Sequence, residues 1–128
     1  MSPYTSRDQA VSAFQQLFET LQTYDSLSER LLERGLTLHF AHTDPEIDIF
    51  VGPGQVLVDE VPEPASIALH LSTEDAHHFW RGRLPLVVAL DTGRLVVRGH
   101  LPSVFQVFQI LAPAFLRYPL ISARAAVA

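Results

Sequence analysis

Apolar residues first fall into register over residues 6–22. Ala10, Phe14, Leu17 and Leu21 make one helical stripe, which Val11 and Phe18 widen. Ser6 stands where an N-cap is needed. Tyr24-Asp25-Ser26 breaks the pattern, and a second, shorter helix carries Leu27, Leu31 and Leu32. Gly35 ends it, because glycine adopts the left-handed closing conformation without a steric cost.

Beyond Gly35 the apolar spacing shortens to every second residue. Leu36, Leu38 and Phe40 alternate with Thr37, His39 and Ala41, the pattern of a half-buried strand. Asp44-Pro45 is a turn signal, after which Ile47, Ile49 and Val51 alternate with Glu46, Asp48 and Phe50. Pro53 and Gly54 suit the central positions of a type II turn, and Val56 and Val58 follow in a third strand. Short turns between these strands predict an antiparallel meander. Pro62 and Pro64 stiffen the next connection. A fourth strand then places Ile67, Leu69 and Leu71 opposite Ser66, Ala68 and His70.

Ser72 and Thr73, with Glu74 and Asp75 behind them, mark a helix start. That helix runs through Phe79 and Trp80 to Gly82. Residues 84–90 fit a helix or a strand equally by pattern. Gly93 precedes a fifth strand over 95–97, and Gly99 closes it. Pro102 suits the first turn of a last helix, in which Val104, Phe105, Val107, Phe108, Ile110 and Leu111 leave little polar circumference. Thr37, His39, Asp48, Ser66, His70, Arg94 and Arg98 predict one wet sheet face, so the helices should pack on the other. This is an α+β layer pair.

Composition narrows the chemistry. The 128 residues suit one domain over 1–128, with no repeat or dividing linker. Hydrophobic residues reach 48% while charged ones are only 18%, so the apolar excess needs a core, a cavity, an interface or a membrane. The apolar run at 84–90 is too short to span a bilayer and contains Pro85. Neither end carries a targeting signature, so a cytoplasmic protein is expected. The net charge of -5 argues against nucleic acid. The chain has no cysteine and no lysine, which excludes thiol, Schiff-base and P-loop lysine chemistry.

Three stretches carry a family likeness. They are Ile67-Ala68-Leu69-His70-Leu71-Ser72-Thr73-Glu74-Asp75, Trp80-Arg81-Gly82-Arg83-Leu84, and Ala89-Leu90-Asp91-Thr92-Gly93-Arg94-Leu95-Val96-Val97-Arg98-Gly99. Together they resemble the sterol carrier protein family of non-specific lipid-transfer domains. The likeness covers roughly residues 6–116 and is sharpest over 65–111. The resemblance implies a five-stranded mixed, mainly antiparallel sheet with helices on one face. It also implies an apolar tunnel for a fatty acyl chain, acyl-CoA or a sterol. Two departures, His100 and Arg94, fall where the family favours Asp or Asn and Lys.

The expectation is therefore a lipid-binding or lipid-transfer protein that is not an enzyme and needs no cofactor or metal. Phe14, Phe18, Phe79, Trp80, Leu86, Leu90, Phe105, Phe108 and Leu111 are the candidate lining residues. Helix 104–111 reads either as a tunnel wall or as a homodimer or accessory-protein interface. The stretch Phe115-Leu116-Arg117-Tyr118-Pro119-Leu120-Ile121 reads as a lid, a transient membrane contact, or a tail packed on its own domain. Phe79 and Trp80 read as core anchors or as a cavity rim. Glu74, His77 and His78 have metal-capable helical spacing, but no second cluster completes a site, so a solvated helix face is expected. His39, His42, His70 and His100 are scattered, mostly on the polar strand faces. No nucleophile elbow, His-Glu-x-x-His or phosphate loop is present.

Overall fold

The computed structural model describes residues 3–127. In chain order the elements are α1 (Arg7–Tyr24), α2 (Leu27–Arg34), β1 (Leu38–Thr43), β2 (Ile47–Gly52), β3 (Gln55–Val58) and β4 (Ile67–Ser72). They continue with α3 (Thr73–Trp80), α4 (Leu86–Asp91), β5 (Val96–Gly99), α5 (Val104–Ile110) and α6 (Pro113–Ala126). A 3-10 turn over Leu101–Ser103 leads into α5.

The caps explain the boundaries. The Ser6 hydroxyl accepts from the Gln9 N–H at 3.2 Å and starts α1. Gly35 is left-handed, and its N–H bonds back to the end of α2. Ser72 accepts from the Asp75 N–H at 2.9 Å and starts α3.

The sheet order is β3-β2-β1-β4-β5. The predicted meander β1-β2-β3 forms, and β5 pairs antiparallel with β4. β4 lies parallel to β1, with Leu38 opposite Ile67 and His42 opposite Leu71. A reciprocal latch sets this register. The Thr37 N–H donates to Ser66 Oγ at 3.1 Å, and the Ser66 N–H donates to Thr37 Oγ1 at 3.0 Å. The Ser66 carbonyl then accepts the His100 N–H at 3.1 Å. That closeness dictates Gly99, where an added Cβ would stand 2.1 Å from the Ser66 oxygen at a φ of +114°.

Inward residues of β1 (Leu38, Phe40), β2 (Ile47, Ile49, Val51) and β4 (Ile67, Leu69, Leu71) are buried. The α1 stripe of Ala10, Ala13, Phe14, Leu17, Phe18 and Leu21 shares their core. Gly52 and Gln55 each offer their carbonyl to the Gln22 side chain at 3.0 Å, which ties α1 to the β2–β3 turn.

Four expectations change. The first strand begins at Leu38 rather than Leu36, because Thr37 is taken by the latch. Residues 84–90 resolve as the short helix α4. The helix starting near Pro102 is not the last. Its first turn is 3-10, and α6 follows over the stretch read as a lid or tail. α6 lies along α1 and buries Ala114, Tyr118, Ser122 and Ala125. The outer sheet face is not wholly wet, since Phe50 is buried there between the paired positions His39 and Leu57.

Gly99→Ala is expected to destabilise the fold by about 2–4 kcal/mol, because strain and a backbone clash add. Gly35→Ala, where nothing lies within 4 Å, should cost only about 1–2 kcal/mol. Equilibrium urea denaturation of both variants checks the order.

Candidate lipid site

The apolar slit between sheet and helices is built from three directions. Phe40 on β1 and Leu69 and Leu71 on β4 form its floor. Phe79 and Trp80, at the end of α3, form one wall, and Leu95 with Phe108 of α5 closes it. Trp80 stands here because the α3 cap at Ser72 fixes the helix start and Gly82 turns the chain immediately after it. The volume is about 10 Å³, room for one water-sized sphere.

Aromatic rings fill the rest. Phe18 stacks on Phe40 with centroids 4.5 Å apart, and Phe79 meets Trp80 edge-on at 5.0 Å. Phe108 contacts Phe79 at 5.8 Å, and Phe115 reaches Phe79 and Trp80 at 5.4 and 5.5 Å. Such offset and edge-on pairs add about 0.5–1.5 kcal/mol each beyond area burial.

The nine sequence-derived candidates divide into three groups. Phe79, Trp80 and Phe108 line the slit. Phe14, Phe18 and Leu111 lie deeper in the core, with Phe18 in contact with both Phe40 and Trp80. Leu86, Leu90 and Phe105 instead edge a separate open groove of about 370 Å³ on the outside of α4 and α5, with Val87 and Asp91. Phe105 is 72% exposed, and the predicted all-round covering of its helix therefore fails on that side. Another open concavity, about 400 Å³, lies along α2 among Glu29, Arg30, Glu33 and Arg34, a mixed solvated charge field rather than an acyl surface.

Two polar features sit inside the helical layer. Tyr4 and Tyr118 hydroxyls are 2.6 Å apart, Tyr4 donates to Ser122 Oγ at 2.8 Å, and His77 Nδ1 lies 2.8 Å from the Tyr118 hydroxyl. This corrects the reading of His77 as part of a solvated face: α3 turns it inward against α6. No group of three or more His, Cys, Asp or Glu among the described residues is arranged to hold a metal. Burial pushes the Tyr118 phenol up and the His77 imidazole down to about 4, so the cluster is a neutral hydrogen-bond network. A hydroxyl stands beside an imidazole here, but all four side chains are buried, which denies a substrate access.

The second feature is His42, which had been assigned with the polar strand faces. It faces inward, 3% exposed, stacked on Phe14 with centroids 4.5 Å apart and planes 4° from parallel. Its Nδ1 lies 2.9 Å from the Ile47 carbonyl. Burial pushes its imidazole down to about 4. The signal was present in the sequence: His42 continues the inward series Leu38, Phe40 at a spacing of two.

No family model matches the sequence, and no curated protein matches it significantly. Solved structures do match, and they show a sterol carrier protein-like fold. The solution structure of sterol carrier protein domain 2 of Helicoverpa armigera superposes with a TM-score of 0.68 at 17% identity, covering 89% of this chain and 95% of that one. Sterol carrier protein 2 from Yarrowia lipolytica, in its apo form, superposes with a TM-score of 0.59 at 16% identity, covering 80% and 86%. A variant of a sec-alkyl sulfatase matches with a TM-score of 0.50 at 18% identity over 59% of this chain, but only 12% of that enzyme. The fold thus occurs in sterol carrier proteins, and a region like a little over half of this chain occurs within a larger enzyme.

Neutral buried histidines make stability depend on pH. The unfolded chain binds protons below about pH 6.5, while the folded His42 and His77 stay neutral down to about 4. Their contribution is complete above pH 6.5 and is lost on acidification toward 4. For His42 alone the loss between pH 7.5 and 5 is about 2 kcal/mol. Urea midpoints at the two pH values should differ accordingly, and less so in His42→Leu.

Proposed function

We propose that this chain is a lipid-binding carrier that holds a fatty acyl chain, acyl-CoA tail or sterol-like ligand between the sheet and α3–α5. The observation that carries this reading is the slit itself. Every side chain lining it is aliphatic or aromatic, and it lies between sheet and helices in a sterol carrier protein-like fold.

The slit must open to work. Ligand pockets enclose about 300–1,000 Å³, far more than the space present. α5 is the element suited to move. It is short, its Phe108 is the half-buried plug over Phe79, and breaks at Gly99–Ser103 and Leu111–Ala112 flank it. Swinging α5 outward merges slit and core spaces into a tunnel. The gain is generic: about 0.8 kcal/mol per buried methylene, or on the order of 13 kcal/mol gross for sixteen carbons. Ligand immobilisation and the opening of α5 offset much of this, which places affinity in the micromolar to nanomolar range. No catalytic step belongs to this reading.

A second reading rests on the outer face. Val87 and Phe105 are both more than half exposed, and Leu86 and Leu90 share their groove. Such a face suits a homodimer or an accessory contact. The two readings use different side chains of α5, half-buried Phe108 and exposed Phe105, so two variants separate them.

Titration of a fluorescent fatty acid, with light scattering for mass, is the test. Phe108→Asp should weaken uptake at least tenfold and leave mass unchanged. Phe105→Asp should leave uptake within about twofold. Absence of saturable binding to the unaltered protein would end the carrier reading. A dimer dispersed by Phe105→Asp would support the second.

A further inference from the structure

We infer that His42 is the polar anchor of the lipid site, with its Nε2 accepting a hydrogen bond from a neutral hydroxyl on the ligand. This rests on the carrier reading above and names the headgroup class within it.

The argument starts from an atom without a partner. His42 Nε2 is buried and makes no hydrogen bond to the described residues. A buried polar group left unpaired carries its full desolvation penalty, so its persistence calls for a partner from outside the chain. The protonation of the ring follows from its other nitrogen. The Ile47 carbonyl only accepts, so Nδ1 at 2.9 Å carries the proton. A neutral imidazole with its proton on Nδ1 leaves a bare lone pair on Nε2. Burial keeps the ring neutral, its pKa held down to about 4. The site therefore takes a donor. A hydroxyl fits; a carboxylate or phosphate, which only accepts, does not.

Position links this lone pair to the slit. Phe40, part of the slit floor, is two residues earlier on the same face of β1, its ring 6.4 Å from the imidazole and 15° from parallel. Leu71, also part of the floor, is paired with His42 in the parallel ladder. Neighbouring strands lie about 4.8 Å apart, so His42 stands one strand over from the floor residue Leu71, just outside the slit's own lining. Phe14 covers one face of the imidazole and holds it in place. The arrangement is an apolar trough with one acceptor at its edge, which fits a long-chain alcohol or a sterol hydroxyl.

The test uses the full chain, delipidated, with an anthroyloxy-labelled fatty acid as reporter. Dodecan-1-ol and dodecyl methyl ether compete against it; they share a chain and differ in the O–H. The alcohol-to-ether affinity ratio should fall about tenfold from the unaltered protein to His42→Leu, with the ether's own affinity little changed. In the unaltered protein, ¹⁵N NMR should show the unprotonated Nε2 resonance of His42 move on adding the alcohol and stay put on adding the ether. That readout needs no variant and stands if His42→Leu fails to fold. A ratio that is the same in both proteins, with a stationary Nε2 signal, overturns the anchor and leaves lipid binding intact; Nε2 then holds only water. A reporter that never binds saturably removes the anchor and the carrier reading together.

Discussion

The parallel pairing of β1 with β4 is the constraint on which the rest depends. It sets Phe40 beside Leu69 and His42 beside Leu71, and so assembles the slit floor from two strands far apart in sequence. The Thr37–Ser66 latch fixes the register, and a slip of β4 by one residue would turn Leu69 and Leu71 to the outer face. The same Ser66 reaches β5 through the His100 N–H, which is why the close approach at Gly99 admits no side chain. Sheet order, slit floor and the polar atom at its edge follow from one junction.

The helical layer answers that floor with rings rather than space. Phe18, Phe79, Trp80, Phe108 and Phe115 meet one another or Phe40 at centroid distances of 4.5 to 6.3 Å and leave room for little more than a water. Interiors close-pack in this way whenever side chains have nothing else to cover. On the carrier reading proposed above, ligand binding would be an exchange in which acyl methylenes replace these ring contacts.

Most of the fold was legible as periodicity. The α1 stripe, the strand alternation and the caps at Ser6, Gly35 and Ser72 each have a local cause, so local pattern sufficed. The failures have causes too. Pro113 and Pro119 masked α6, although proline fits a helix's first turn and Pro119 is tolerated within this one. Helix α5 is too short and too apolar for pattern to tell Phe108, which faces in, from Phe105, which faces out. His42 and His77 were assigned outward by residue type, though the spacing from Phe40 and the partner Tyr118 on α6 turn them inward. Type misled where tertiary contact decides. Of the nine candidates only Phe79, Trp80 and Phe108 line the slit, and the inward turn of His42 was legible only from its spacing of two beyond Phe40.

Trp80 is the chain's only tryptophan and stands in the slit wall. Its fluorescence therefore reports on that place alone. Titration with a fatty acid brominated midway along its chain should quench Trp80 saturably, while the unbrominated acid should compete the quenching away. Saturable binding of the brominated acid with undiminished Trp80 emission would place the ligand elsewhere and contradict a lipid site between sheet and α3.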